Sequence, residues 1–408
     1  MSTKNAYDWE YLVKFGILTY HTPCNFGANL QSYTTVKFFT SLGYDVKVIN
    51  YVRQGDIDAN YCDNRQRTAH WYFSQSLLPV TKAVDSNHLV SLIDEEGIDV
   101  IVLGADAIWN KNSLEVFGMA WLWRSHLADR VKVVCLSPAF MGDTYLDLPI
   151  NVRNEFRDSL LRMSYVNTRD EWTRNIVNNE IIGRDYIKVI NPDPVFLLNN
   201  FCEQKWENGV SLIESKKYYI VSFPHNFIAQ RCLLKKIWVK VFKYLVNRRG
   251  YKLVELPIPE GVSGLNFDYT VPYPIDPLQW YLWLKNAKGF VGLRFHAVVS
   301  CISAGVPFFS LDIYGKSNRL ARYLNAFGIH FFDRRINVSS KIRNLLEGSG
   351  LEKNRINGSK IHMVSPFKVF KMLENQNIDD LHIFKEQNVL KFRTNMKEML
   401  SIVEGKNE

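Results

Sequence analysis

Arg294 and His296 stand two residues apart, directly after the short apolar run Gly289-Phe290-Val291-Gly292. A guanidinium grips carboxylate or phosphate through two parallel hydrogen bonds. An imidazole can give or take a proton near neutral pH. Lys316 follows a second apolar run, residues 306–311, and would come up at the same rim. Two cations and an imidazole on one rim imply an anionic small-molecule ligand. Asp106, after Gly104 at the end of the run 99–104, could accept a hydroxyl proton, or cap a helix. Arg169 closes the run 165–169 and has the same strand-end placement; a salt bridge with Asp170 or Glu171 is its alternative. For Arg294 the alternative is an interdomain ion pair, for His296 a satisfied core histidine, for Lys316 a solvated loop lysine.

The elements that must hold these residues follow from hydrophobic pattern. Residues 289–292 read as a strand, 297–304 as a buried helix of small residues stopped by Gly305, and 306–311 as a second strand. Polar residues at the carboxyl end of such a strand face the ligand crevice of an open parallel sheet. The chain opens in the same way. A strand at 11–20 runs into a turn-rich loop at 21–27, then a helix at 29–42 with Gly43 as its stop, then a strand at 45–51, predicting a right-handed crossover. Residues 53–88 are less legible and read as loop and irregular helix at the sheet edge. Strands at 99–104 and 131–137, a helix at 151–163, and Asp170 as a helix cap follow. Asn191-Pro192-Asp193-Pro194 forbids regular structure and marks a domain seam. Strands at 217–222 and 251–256, a helix at 231–247 and an aromatic core helix at 277–285 begin a second series. The expected fold is α/β: two doubly wound Rossmann-like domains, 1–200 and 201–380, facing a cleft, with an amphipathic helix at 381–408.

A length of 408 residues suits two cores, and 47% hydrophobic with 22% charged residues is ordinary for a globular protein. The net charge of +9 favours anionic partners, while the absence of long basic tracts and zinc-finger spacing argues against nucleic acid. The six cysteines show no CxxC pairing and read as free thiols in a reducing compartment. Neither a signal-peptide core nor an uncharged apolar run of spanning length is present, so a cytoplasmic location is expected. From Arg231 to Lys252 the chain carries eight basic residues and no acid among Leu, Ile, Val and Phe. That pattern fits an interfacial face touching the inner membrane peripherally, or a solvated helix face.

Several segments together resemble the polysaccharide pyruvyl transferase family. These are FGILTYHTPCNFGANLQSYTTVKFFTSLGYDVKVINY at 15–51, VIVLGADAIWN at 100–110, VNTRDEW at 166–172, NPDPVFLL at 191–198 and the block 280–316 with its Arg-x-His pair and later lysine. Asp170 stands where a glutamate is commoner in the family. The resemblance implies a fold like the type B glycosyltransferases. It also implies transfer of pyruvate from phosphoenolpyruvate onto a sugar as a cyclic ketal, commonly across the 4- and 6-hydroxyls of a hexose such as galactose, in exopolysaccharide or capsule synthesis.

On that reading Arg294, His296, Arg169 and Lys316 bind the donor, and His296 protonates its methylene carbon. Asp106 takes a hydroxyl proton. Asn25, Gly27, Asn29 and Gln31, at the start of the first helix, and His225, after the strand at 217–222, would meet the acceptor; Gly27 could instead serve its turn alone. His21 stands in the loop after the first strand. No metal or cofactor is expected, and the expected acceptor is a saccharide, free or carried on polyprenyl diphosphate. A nucleotide-sugar glycosyltransferase of the same fold, or a non-catalytic saccharide-binding protein, are the alternatives.

Overall fold

The computed structural model describes residues 13–51, 63–109, 129–140, 146, 148–203, 213–223, 233–312, 340–357, 361 and 364–405. Lys316 and His225 lie outside them.

Short apolar runs buried on both faces form two all-parallel sheets, as strands sandwiched between helix layers must. The first contains β1 (Lys14–Leu18), β2 (Asp45–Val48), β3 (Val100–Leu103), β4 (Lys132–Cys135) and β5 (Tyr165–Val166), in the order β2-β1-β3-β4-β5. The second contains β6 (Tyr218–Ser222), β7 (Lys252–Glu255), β8 (Tyr269–Thr270), β9 (Gly289–Gly292), β10 (Phe308–Asp312) and β11 (Arg355–Asn357), in the order β11-β10-β9-β6-β7-β8. Strand order reverses between β1 and β3 in one sheet and between β6 and β9 in the other. Such reversals open the crevice in which doubly wound sheets take ligands.

Helix α1 (Phe26–Ser41) starts three residues earlier than its apolar periodicity suggests, because Asn25 caps it by accepting from the N–H of Gly27 and Ala28. Residues read as irregular include a regular helix, α2 (Asn64–Leu77). Its buried face carries Gln66, His70 and Ser74 beside Phe73, while Trp71 and Tyr72 point to solvent, so the usual apolar signal is inverted. Asp170 caps α3 (Glu171–Asn175) through Thr173 N–H at 2.8 Å. The second half adds α4 (Leu233–Arg248), α5 (Pro277–Lys285), α6 (Phe295–Ala304), α7 (Lys341–Leu346) and α8 (Ile378–Glu404). As expected, α5 is core: Trp280, Tyr281 and Trp283 are all buried.

The halves share one apolar core. Phe26 of α1 stacks on Trp280 of α5 with centroids 4.9 Å apart and planes 7° from parallel. The same cluster takes in Leu30, residues 195–198, Val298 and Ile302. Gln66 of α2 clasps the backbone of Ile275 in both directions, at 2.7 and 2.8 Å. The last helix, α8, returns to the first half: Phe392 meets Phe38 edge-on, and the Asn395 amide donates to Ile190 O and Asn191 Oδ1 at 3.0 and 3.1 Å. Among the described residues no helix is long and apolar enough to cross a membrane.

The cysteine expectation needs correction. Cys135, Cys202 and Cys301 keep their thiols, but Cys24, in the loop before α1, is disulfide-bonded.

Candidate active site

Hydrogen bonding continues past the strands of the first sheet and draws four segments into a row. Ala139 N–H donates to Asp106 O at 2.8 Å, Arg169 N–H to Pro138 O at 3.0 Å, and Asn191 N–H to Thr168 O at 2.7 Å. Asp106 and Ser137 hold left-handed φ values of 75° and 54°, which an L-residue keeps only where its surroundings impose it. Ser137 is fixed on both sides, its N–H by Asn167 Oδ1 at 2.7 Å and its hydroxyl by Asn191 O at 3.0 Å. The seam at 191–194 is thereby pinned, and Asp193 is presented beside Arg169.

A buried charged cluster results. Arg169 Nη1 donates to Asp106 Oδ1 at 2.9 Å and lies 3.6 Å from Asp193 Oδ2. Lys341 Nζ, on the first turn of α7, reaches the same Asp106 Oδ1 at 2.5 Å. From the second half His296 Nε2 approaches Asp193 Oδ2 to 3.4 Å. From α1 the Gln31 amide donates to that oxygen at 2.9 Å, while Asp193 Oδ1 accepts from Val195 N–H at 3.0 Å. Phe295 floors the group: the Arg169 guanidinium lies 4.8 Å and Lys341 Nζ 5.8 Å from its ring centroid, and the His296 ring meets it edge-on at 5.1 Å.

Burial would raise both carboxyls, but the neighbouring charges prevail. Lys341 and Arg169, with His296, hold Asp106 well below the usual carboxylate range; the His296 ring and Arg169 do the same for Asp193. Burial draws the Lys341 ammonium below its ordinary value despite the opposing Asp106 charge. Among the described residues, two buried donors in the cluster make no hydrogen bond, Arg169 Nη2 and His296 Nε2, the latter with only the 3.4 Å approach to Asp193. Leaving a buried donor unpaired costs about 1–3 kcal/mol. Both donors suit an anionic ligand. Both cations address Asp106 Oδ1, so among the described residues Oδ2 is the oxygen left for a substrate.

Arg294 does not join this group. Its side chain is 41% exposed, against 4% for Arg169, and its Nη2 pairs with Glu260 Oε1. The expectation that Arg294 sits with His296 at one ligand site, or else in an interdomain ion pair, is corrected: it follows β9, but its length carries it to the rim, where Glu260 of the same half compensates it. Arg169, for its part, pairs with Asp106 and Asp193 rather than with Asp170 or Glu171; Glu171 is taken by Arg174.

The α1 residues divide between two tasks. Gln31 enters the cluster through Asp193. Asn29 turns the other way, donating to His21 O at 2.6 Å and meeting His70 Nδ1 at 2.5 Å, while His21 Nδ1 contacts Ser74 Oγ at 2.7 Å. Asn25 is the cap. Gly27 is helical, not a left-handed turn residue, and its lack of a side chain makes room for the His296 ring. Lys341 and Asp193 had not been placed in the site by their sequence. Asp193 was visible as part of a Pro-bracketed seam, whereas nothing local marks Lys341. Among the described residues no group of three or more His, Cys, Asp or Glu side chains is disposed to hold a metal ion.

Two parallel sheets facing each other across a cleft give the chain the fold of the type B glycosyltransferases, which UDP-GlcNAc 2-epimerases share. Two solved structures illustrate the likeness. The UDP-GlcNAc 2-epimerase of Methanocaldococcus jannaschii is 13% identical, with a TM-score of 0.52 over 90% of this chain and 93% of that one. The glycosyltransferase SnogD of Streptomyces nogalater is 10% identical, with a TM-score of 0.50 over 96% and 100%. No curated protein sequence matches the chain. A model of the polysaccharide pyruvyl transferase family matches residues 25–313, and the chain belongs to that family.

Proposed function

We propose that the chain moves pyruvate from phosphoenolpyruvate onto two hydroxyls of a hexose, galactose being one candidate, in a cell-surface polysaccharide precursor carried on a lipid diphosphate. The observation that carries this reading is the buried cluster in which Arg169 Nη2 and His296 Nε2, beside Lys341, make no hydrogen bond among the described residues. A donor with a phosphate and a carboxylate needs cations on two sides, and Arg169 with Lys341 supplies one side. Arg294 supplies the other from the rim once the ligand displaces Glu260. Lys316 remains a proposed further donor contact, and His225 a proposed acceptor contact.

In this reading the acid is the His296 imidazolium, with Asp193 Oδ2 3.4 Å from its Nε2. That group protonates the methylene carbon of the donor, and the double-bond electrons form the new C–H bond, leaving an electrophilic carbon that still bears phosphate. One sugar hydroxyl attacks this carbon and gives up its proton. The C–O bond to phosphate then breaks, and the second hydroxyl closes the ketal. One hydroxyl proton replaces that spent by His296, and the other leaves with inorganic phosphate. A hydroxyl that has attacked such a carbon is strongly acidic, so even the weakly basic Asp106 can accept its proton through Oδ2. Fixed cations then stabilise the departing phosphate.

The test is phosphate release from phosphoenolpyruvate in the presence of synthetic or lipid-linked hexosides, with the acceptor gaining the mass of one pyruvate less water. His296→Ala lowers turnover with donor binding partly retained. Wild-type rates in that variant, or release of nucleotide from a sugar nucleotide in place of phosphate, overturn the assignment.

A further inference from the structure

We propose that the outward face of α4 docks on an anionic lipid bilayer. One side of this helix is ordinary core, with Trp238, Phe242 and Val246 buried. The other side mixes apolar and basic residues: Leu233, Leu234, Ile237 and Tyr244 are 67%, 57%, 44% and 60% exposed, beside the exposed Lys236, Lys240 and Arg248. Leu233, Ile237, Lys240, Tyr244 and Arg248 recur at three- and four-residue spacing, so they share a single stripe. At 1.5 Å per residue that stripe runs roughly 22 Å. Scattered exposed apolar residues are normal, but a continuous row marks an interaction surface.

The charges choose the occupant. Lys236, Lys240 and Arg248 have no ion-pair partner among the described residues, whereas Lys243 and Arg249 are paired with Asp268 and Glu374. The helix itself carries no acidic residue, and the whole chain has a net charge of +9. The partner must therefore offer negative charge and hydrocarbon in one plane. A bilayer with anionic headgroups does so: lysines sit at the headgroups while Leu, Ile and Tyr enter the acyl boundary. Docking there would hold the protein beside acceptors anchored in lipid, but it does not depend on the donor reading.

The full-length protein is sedimented with phosphatidylcholine vesicles, with and without about one-third phosphatidylglycerol. Binding is expected only to the mixed vesicles and weakens as salt is raised. The double substitution Lys236→Glu and Lys240→Glu lowers partitioning by at least about 30-fold, from roughly fivefold per cation near such a surface. Ile237→Ser with Tyr244→Ser also lowers it, and both variants keep the wild-type Tm. No partitioning onto the mixed vesicles, or equal partitioning of wild type and variants, overturns the proposal. So does a dimer in sedimentation velocity that Ile237→Ser with Tyr244→Ser dissociates, since that assigns the face to a second copy. With neither donor nor acceptor in the tube, failure here leaves pyruvyl transfer untouched, and the converse holds.

Discussion

Gly27 lies so close against His296 that a methyl group built on it would fall 1.9 Å from Nδ1 and 2.7 Å from Cβ of the histidine. Rotating the ring cannot relieve the second contact, so the whole side chain must shift. Gly27→Ala is therefore expected to lower turnover about 100-fold, the effect of displacing a reacting group by around an ångström. In a His296→Ala background the same change should cost little further, since the two act through one side chain. Equal losses in both backgrounds would show that Gly27 matters for another reason.

Asp106→Asn leaves the buried Lys341 without its carboxylate and Arg169 with the more distant Asp193 alone. A loss of about 3–5 kcal/mol is expected, measured by denaturant unfolding. Adding Lys341→Met removes one uncompensated cation and should recover part of that loss, although activity stays low. If the double variant is no more stable than Asp106→Asn, the cluster is not held together by charge. Because Asp106 titrates below its ordinary value of 3.8 in the folded chain, its contribution is complete at neutral pH. It is lost only as pH falls below that value.

Mild acid acts first on the pair behind α1. Burial lowers His21 to about 4 and His70 to about 3, from an ordinary 6.5. The unfolded chain therefore gains protons below 6.5 that the folded chain refuses, and stability falls as pH drops through this window. At about pH 5 each histidine accounts for about 2 kcal/mol. Melting curves between about pH 7.5 and 5 should show a steep decline in wild type. The slope should be shallower in His70→Asn, whose amide can stand where Nδ1 stands. Parallel curves would remove His70 from the account.

Arg294 and Glu260 separate binding from stability. Their ion pair is partly exposed, so breaking it should change stability by no more than about 1 kcal/mol. Arg294→Ala is expected to raise the donor KM at least tenfold, whereas Glu260→Gln frees the guanidinium and should lower it. A Glu260→Gln enzyme with weakened donor use would contradict a donor role for Arg294.

Much of the scaffold was legible because its signals are local. The run from β9 through α6 to β10 is continuous apolar sequence with a stop at Gly305, which is left-handed with φ 67°. His296, Arg169 and Asp106 were recognisable as strand-end residues, and they do meet. Helix α2 was obscured because its buried face is polar, satisfied by Asn29 and the Ile275 backbone that no local pattern announces. Lys341 was out of reach for a similar reason: its partner Asp106 lies 235 residues away. Gly27 was marked as a loop glycine, but what demands it is a ring from the other half of the chain.

The apolar seam beneath the site, with Phe26 on Trp280 at its centre, constrains how the enzyme can move. Opening the two lobes like a book would wet that seam at roughly 25 cal/mol for every square ångström exposed. A motion that parts the two halves at this seam is therefore opposed in proportion to the apolar area it would expose. In the proposed mechanism His296, already 3.4 Å from Asp193 Oδ2, would be aimed before any sugar arrives.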